Sequence, residues 1–308
     1  MQIGNRQFDT EQGLYIMGIL NVTPDSFSDG GRFNEMDAAL AHVEQMIEDG
    51  CDILDIGGES TRPNHIKISS EEEIARVCPY IEKIKERFDI PVSLDTYKAE
   101  VARAGILAGA DMINDIWGLK WNQELADAEE MSFVEPMAPM LARYQVPVCV
   151  MHNRKPANTG TVSGTGTHIV TSLGNQADTD ANPFGYHNVV EDVIRDLEDC
   201  IHIADRAGVD RSRIILDPGI GFGKTLADNL VVMQHLEDIR HMGYPVLLGT
   251  SRKSMIGLTL HVPVEEREEG TMATSVIGAM KGCSFFRVHD VLKNRRALEM
   301  TRAVLNAG

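Results

Sequence analysis

Short, almost wholly apolar runs alternate along the chain with longer stretches in which apolar residues recur every three or four positions. The runs are LYIMGILN (14–21), CDILDIGG (51–58), IPVSLDT (90–96), ADMINDI (110–116), VPVCVMH (146–152), RIILDPG (213–219), YPVLLGT (244–250) and CSFFRVHD (283–290). Near-continuous apolar character over so few residues suits strands of a parallel sheet, which are buried on both faces. Between the runs the helical period is clear in two places. In 70–88, Ile74, Val77, Ile81 and Ile84 share a face, and Ser70 with Glu73 has the spacing of a capping box. In 189–207, Val189, Val190, Val193, Ile194, Leu197, Ile201 and Ala204 line a face that stops at Gly208, a residue type able to take the left-handed backbone of a helix end. Gly50 and Gly109 close earlier helices in the same way.

Eight strands, each followed by a helix, predict a single (β/α)8 barrel, an α/β fold that takes about 250 residues. A doubly wound sheet rarely repeats the unit eight times without a second domain. The chain has 308 residues, read here as one domain over 1–308, and its surplus length lies in 155–188. That segment, KPANTGTVSGTGTHIVTSLGNQADTDANPFGYHN, is rich in Gly, Thr, Asn and Asp and has no period. It follows the fifth strand and is expected to be a flexible loop inserted at the end of the barrel where chemistry occurs.

Composition removes several alternatives. No window of eighteen apolar residues occurs, so a membrane-spanning helix is excluded. Residues 1–13 lack a charged-then-apolar signal pattern. The five cysteines are odd in number and scattered, which fits free thiols in a reducing cytoplasm better than a disulfide framework. A formal charge of −17 argues against nucleic acid or an anionic membrane as partner. Any anionic substrate must therefore be held by a local basic cluster working against the field of the whole chain.

One stretch invites a nucleotide reading. LDPGIGFGKT (216–225) has glycine at every second position and ends in Gly223-Lys224-Thr225, as a phosphate-cradling loop does. The first glycine of that pattern is replaced by Pro218, which lacks a backbone N–H where such a loop uses its donors. Lys224 and Thr225 are read instead as a solvated helix start.

The strand ends carry the chemistry: Asn21, Asp55, Asp95, Asn114 with Asp115, Met151 with His152, Asp217, Gly249–Lys253, and Arg287 with His289. Any one of them can be a helix cap, as Thr96 is expected to be. A barrel gathers all of them around one mouth. Asp95, Asn114 and Asp217 offer acceptors and an amide that match the donor-rich edge of a 2-amino-4-oxo heterocycle, with Lys253 donating to its oxygen or nitrogen. Arg62, Arg287 and His289 form an anion pocket of forked and ring donors. The carbonyl of Asn21 can hold Mg²⁺ beside a diphosphate, because this ion keeps most of its water and takes few protein ligands.

The motifs MGILNVTPDSFSDGGRF (17–33), DIGGESTRP (55–63), SLDT, INDIWG, VMHN, LDPGIGFGK, GTSRKSMIG (249–257) and RVHD (287–290) closely resemble those of the dihydropteroate synthase family. They follow one another in order over nearly the whole chain. The resemblance implies a (β/α)8 barrel that joins 6-hydroxymethyl-7,8-dihydropterin diphosphate to p-aminobenzoate, forming dihydropteroate and pyrophosphate in folate synthesis. It implies a sulfonamide target, Mg²⁺ as cofactor, small-molecule substrates and a homodimer. Carried over by motif, Asp95, Asn114, Asp217 and Lys253 read the pterin, with Met151 and Phe222 as walls and Gly249 and Ser251 below. Asn21, Arg62, Arg287 and His289 hold the diphosphate, with the metal at Asn21. Phe27, Thr61, Pro63 and Ser254 bracket p-aminobenzoate, whose carboxylate faces the helix start after the seventh strand. Asp29 supplies a carboxylate for the cation formed when the diphosphate leaves. The segments 22–33 and 59–68 are expected to be mobile.

Two rivals remain. A corrinoid-dependent methyltetrahydrofolate methyltransferase shares the Asp/Asn set but has no use for Thr61-Arg62-Pro63 or Ser251-Arg252-Lys253-Ser254. A pterin-binding paralogue without turnover is disfavoured because no matched motif position is lost. The chain departs from the family pattern at Asn64-His65, where Gly-Ala is usual, and in the length of its fifth loop.

Overall fold

The computed structural model describes residues 1–23, 31–60, 67–121, 136–154 and 182–307, with 31–34 as backbone only. Ten strands occur among them: β1 (Gln2–Ile3), β2 (Arg6–Gln7), β3 (Tyr15–Asn21), β4 (Ile53–Gly57), β5 (Val92–Asp95), β6 (Met112–Asp115), β7 (Val148–Met151), β8 (Ile214–Asp217), β9 (Leu247–Leu248) and β10 (Phe285–Val288). Strands β3 to β10 form one sheet in the order β8-β7-β6-β5-β4-β3-β10-β9, and every pairing is parallel. A parallel bridge from Leu216 to Val246 joins its two ends. The sheet is therefore a closed eight-stranded barrel with helices outside, and the doubly wound alternative falls, because such a sheet has two free edges. All eight apolar runs of the sequence became barrel strands.

The first hairpin, β1 with β2, was not anticipated; two-residue strands leave no periodicity to detect. Its Ile3 and the adjacent Phe8 pack with Met17, Ile53, Met112, Cys149, Ile215, Leu247 and Phe285. Those last seven residues are the inward-facing layer at the bottom of the barrel, so the hairpin plugs it. Side chains alternate along a strand. The inward positions one layer up are therefore Ile19, Asp55, Ser93, Asn114, Met151, Asp217, Gly249 and Arg287. Apolar filling at the bottom thus gives way to polar groups at the mouth.

The outward residues pack against the helices. Leu54, Ile56, Leu94 and Ile113 join Val77, Ile81 and Ile84 of the helix Ser70–Arg87, and Val148, Val150 and Leu216 join Val193, Leu197 and Ile201 of the helix Val189–Ala207. The second helix ends at Gly208 with φ 83°, as its sequence required, and Gly109 has φ 113° in the same role. The cap lies one residue earlier than expected: Ser69, not Ser70, caps the helix, accepting from the Glu72 amide at 3.2 Å. Glu73 is buried and bonds Lys98 instead, so its carboxylate is unavailable to the helix start. Thr96 does not cap a helix either. Its hydroxyl accepts from the Lys98 amide at 3.3 Å, and Lys98 itself is the cap position.

The insertion 155–188 is not featureless throughout. Residues 155–181 lie outside the described residues, but 182–188 fold onto the barrel: Phe184 and Tyr186 are buried, and the Tyr186 hydroxyl donates to the Gly223 carbonyl at 2.7 Å. Replacing 155–181 by a short Gly-Ser bridge is therefore expected to leave Tm within a few degrees, since those residues are poor in apolar groups. Extending the deletion through 188 removes two buried aromatics, each worth about 3–5 kcal/mol. At about 2–4 °C per kcal/mol, melting should fall by 10 °C or more. Equal melting temperatures for the two deletions would contradict this packing.

Candidate active site

One row of the sheet sets the first half of the site. Asn21, Gly57, Asp95 and Asn114 stand opposite one another in register across β3, β4, β5 and β6. Gly57 leaves the space between its neighbours open: a Cβ there would lie 3.7 Å from Asn21 Oδ1 and 3.9 Å from Asp95 Oδ2. Across the mouth Met151 and Asp217 are in register on β7 and β8. Gly249, just beyond β9, sits at the meeting point of the second half, 3.8 Å by its virtual Cβ from Asp217 Oδ2, Lys253 Nζ and Arg287 Cβ alike.

The charged groups are arranged around Arg287. Its Nε donates to Asp55 Oδ2 at 2.5 Å and its Nη2 to Asp95 Oδ2 at 2.7 Å. Asn114 Nδ2 donates to the same Asp55 oxygen at 3.2 Å. One guanidinium thus reaches two carboxylates through two separate nitrogens of its planar fork. Burial pushes the Asp95 carboxyl up to about 7, opposed by Arg287 and reinforced by Asp55. Burial also raises Asp217, opposed by Lys253, and lowers the Lys253 ammonium to about 8, opposed by Asp217. The chain is strongly acidic overall. Its mouth nevertheless brings Arg287 and Lys253 together beside acceptors aimed inward.

The turn after β8 explains the glycine-rich stretch. Asp217 Oδ1 accepts from the Gly219 amide at 2.7 Å, which fixes the carboxylate and leaves Oδ2 toward the mouth. Gly219 and Gly223 have φ of 66° and 54°, and a Cβ would lie 1.9 Å from the His152 carbonyl oxygen and 2.5 Å from that of Arg154. Only glycine fits either position. Lys253 Nζ lies 4.6 Å above the Phe222 ring and donates to the Ile220 carbonyl at 2.5 Å. Phe222 and Met151 belong to an apolar cluster with Tyr97, Ile116 and Trp117, against which Trp121 packs. These flat rings adjoin the polar groups of the mouth through Phe222 and Met151. Asp115, which points outward, accepts from the Trp117 and Leu119 amides at 2.8 Å each and so shapes the turn that carries the Trp117 ring.

Of the residues assigned from the sequence, Asn21, Asp95, Asn114, Met151, Asp217, Phe222, Gly249, Ser251, Lys253, Ser254, Arg287 and His289 are described, and they surround the mouth. Ser251 Oγ lies 2.9 Å from His289 Nδ1 and accepts from the His289 amide at 3.1 Å. Ser254 opens the helix Ser254–Leu260. Arg287 and His289 were grouped in one anion pocket; their described partners differ, Arg287 being turned to the carboxylates and His289 to Ser251. Phe27, Asp29, Thr61, Arg62 and Pro63 lie outside the described residues, as do Asn64 and His65.

One expectation is overturned, and the mobility expected of 22–33 and 59–68 falls largely on residues outside those described. Lys224 is no solvated residue but fully buried, and only Thr225 begins a helix, with a capping box to Asp228. The stem of the segment 59–68 is pinned. Glu59 Oε2 accepts from the Ile68 amide at 3.3 Å, and Lys98 Nζ donates to Glu59, Glu73 and the Ile68 carbonyl at 2.7, 2.8 and 2.7 Å. Two contributors were passed over in the sequence reading. Asp55 stood among the strand ends without a role, and Gly57 was not singled out. Both share the inward parity of Ile53, which is the signal that would have found them.

Among the described residues no group of three or more His, Cys, Asp or Glu is placed to hold a metal. Asn21 Oδ1 and Asp95 Oδ2 flank the same gap at Gly57. Such a sparse oxygen set fits Mg²⁺ arriving with a diphosphate and does not fit a resident metal centre. The arrangement as a whole can bind a planar base through an acid–amide–lysine rim and place an anion near Arg287.

These features define a barrel enzyme that binds a nitrogen heterocycle, and comparison with known proteins gives the class. Residues 17–289 match the family described as pterin binding enzyme, and the chain belongs to that family. It is 53% identical to a dihydropteroate synthase of Clostridium beijerinckii over 306 residues, covering 99% of each chain. It is 46% identical to that of Bacillus subtilis, covering 95% of this chain and 89% of the relative. A crystal structure of dihydropteroate synthase from Clostridium difficile in the presence of pteroic acid superposes with a TM-score of 0.80 at 41% identity, covering 97% of this chain and 99% of that one. The Xanthomonas albilineans enzyme in complex with 7,8-dihydropteroate gives 0.76 at 37% identity, covering 96% and 95%. Within its family the chain stands among the dihydropteroate synthases.

Proposed function

We propose that this chain condenses 6-hydroxymethyl-7,8-dihydropterin diphosphate with p-aminobenzoate, releasing pyrophosphate and forming 7,8-dihydropteroate. The convergence of Asp95, Asn114, Asp217, Lys253 and Arg287 on one mouth carries this reading. Asp95 and Asp217 accept from the ring's N–H groups, Lys253 donates to its oxygen or nitrogen, and Met151 and Phe222 cover its faces. Arg287 lies at the edge of that set, where the exocyclic CH₂ and its diphosphate would emerge. It takes up charge as the leaving group departs, and aiming fixed donors at developing charge is usually the largest catalytic term. Arg62, His289 and Asn21 complete the diphosphate site in this proposal. When bound at Asn21, Mg²⁺ neutralises the leaving group. Asp29 faces the cation that remains, and p-aminobenzoate, bracketed by Phe27, Thr61, Pro63 and Ser254, attacks it through its amine. That amine is weakly basic, so no strong general base is needed.

A homodimer is also part of the proposal. Leu258, Leu260, Ile277, Met280, Met300 and Val304 are exposed on three neighbouring helices, Ser254–Leu260, Glu268–Met280 and Val291–Leu305, and supply apolar surface that a second copy could cover. No helix among the described residues is long and apolar enough to cross a membrane, which is compatible with the cytoplasmic location expected for folate synthesis.

A pyrophosphate-release assay tests the activity. Turnover should require the pterin diphosphate, p-aminobenzoate and Mg²⁺ together, with dihydropteroate formed one for one. Pterin binding without any release would favour the paralogue reading, and methyl transfer from a reduced folate would favour the corrinoid one.

A further inference from the structure

Lys224 has no part in the reaction just described, yet its long charged side chain is fully buried. Its ammonium has three N–H groups and meets three acceptors: His152 Nδ1 at 2.7 Å and the carbonyls of Gly219 and Phe222 at 3.1 Å each. Two of these belong to the turn after β8, and the third belongs to the end of β7. Among the described residues no carboxylate touches it, and the three acceptors that do are neutral. With a donating ammonium at Nδ1, the imidazole must carry its proton on Nε2, which donates to Asp196 Oδ2 at 3.0 Å. Arg154 grips the same carboxylate through Nε at 2.9 Å and Nη2 at 3.1 Å. The imidazole is held neutral: burial and Lys224 lower it to about 3, against Asp196.

The turn that Lys224 holds is the one that presents Asp217, Phe222 and the Ile220 carbonyl to the mouth. A turn with left-handed backbone at Gly219, Gly221 and Gly223 has little conformational preference of its own. Something must choose its shape. We propose that Lys224 is the positioning residue for the pterin site, an internal tie that fixes this turn from below with His152 as its anchor and so sets where Asp217 and Phe222 meet the ring. The inference rests on the pterin reading of the mouth. It also gives the terminal Gly-Lys of this stretch a purpose unrelated to phosphate.

The first test is Lys224→Met, which keeps the stem and removes the donors. Binding of a pterin analogue, followed by the fluorescence of Trp117 and Trp121, the two tryptophans of the chain, should weaken roughly tenfold or more, since each tenfold is about 1.4 kcal/mol and two carbonyls and a ring nitrogen lose their donor. KM for p-aminobenzoate at saturating pterin diphosphate should change less than about twofold. Because that variant leaves buried acceptors unpaired, a second pair covers failure to fold. His152→Asn retains an acceptor near Nδ1 and loses the bond to Asp196; His152→Gln does the reverse. The tie requires His152→Asn to bind pterin within roughly threefold of wild type and His152→Gln to bind roughly tenfold more weakly, whatever their melting temperatures. Equal pterin affinities for the two His152 variants, or a folded Lys224→Met with wild-type affinity, would overturn the inference. Wild-type protein that binds no pterin analogue would instead overturn the reading of the mouth beneath it.

Discussion

Arg287→Ala should weaken both bare hydroxymethylpterin and its diphosphate, the second far more than the first. The guanidinium joins Asp55 and Asp95, with Asn114 tied to the same Asp55 oxygen. Removing it leaves two acids facing each other without their cation, a change that costs about 3–5 kcal/mol when such a pair is buried. The site escapes much of that by protonating one acid, and Asp95, already raised by burial and by Asp55, is the one expected to take the proton. A protonated Asp95 can no longer accept from two ring N–H groups, so the bare pterin should lose roughly ten- to a hundredfold, about 1–3 kcal/mol. The diphosphate loses this and its own charge-assisted contact, for a further roughly tenfold or more. Calorimetry with the two ligands separates the roles. Unchanged affinity for the bare pterin would contradict the carboxylate clamp, and equal losses would contradict any role in holding the diphosphate. Arg287→Lys should recover only part of the loss: an ammonium can bridge two acids, as Lys98 does, but it lacks the spaced Nε and Nη2 donors that meet Asp55 and Asp95 separately.

The second large effect is on pH. On the proposed site, pterin binding needs Asp95 ionised and Lys253 protonated. Burial holds Asp95 up at about 7 and Lys253 down at about 8, with Asp55, Arg287 and Asp217 as the charges facing them. As pH falls below the first value the carboxylate gains a proton and affinity should drop roughly tenfold per unit. As pH rises past the second value the ammonium is lost and affinity should drop again. Lys224, lowered by burial to about 7, adds to the alkaline limb by loosening the turn beneath the ring. The profile is thus a narrow bell near neutrality. Asp95→Asn should remove its acid limb and weaken binding throughout, since the amide replaces one acceptor by a donor. A profile flat from pH 5.5 to 9 would rule out both assignments.

The barrel was legible because parallel strands buried on both faces read as apolar runs, and eight of them in alternation leave few other solutions. The polar rim was legible for a related reason: a strand end is where an apolar run stops, so Asp95, Asn114 and Asp217 stand out against it. What stayed hidden depends on contacts between residues distant in sequence. Nothing near Lys224 marks it as buried, since its acceptors are two carbonyls and a histidine seventy-two positions earlier. Asp55 looked like one more strand end because its partner, Arg287, lies 232 positions away. The pinning of Ile68 by Lys98, and the packing of Phe184 and Tyr186 at the end of a polar insertion, are likewise tertiary facts without a local period. Ser69 displaced Ser70 as a cap because Glu73, the acid the box would have used, is drawn into the barrel side by Lys98.

The pterin half of the site stands on strands and on one tied turn, whereas most residues assigned to p-aminobenzoate belong to the segments around Phe27 and Thr61. On the proposed assignment, the pterin pocket exists in the free enzyme and the p-aminobenzoate pocket is completed by what binds there first. Linkage requires p-aminobenzoate to strengthen retention of those ligands by the same factor. The direct measurement is a titration of p-aminobenzoate into the enzyme alone and into enzyme loaded with a pterin, pyrophosphate and Mg²⁺, each omitted in turn. The predicted result is very weak binding to the bare enzyme and a sharp rise only when all three are present. Tight, one-to-one binding of p-aminobenzoate to the bare enzyme would contradict the ordered site.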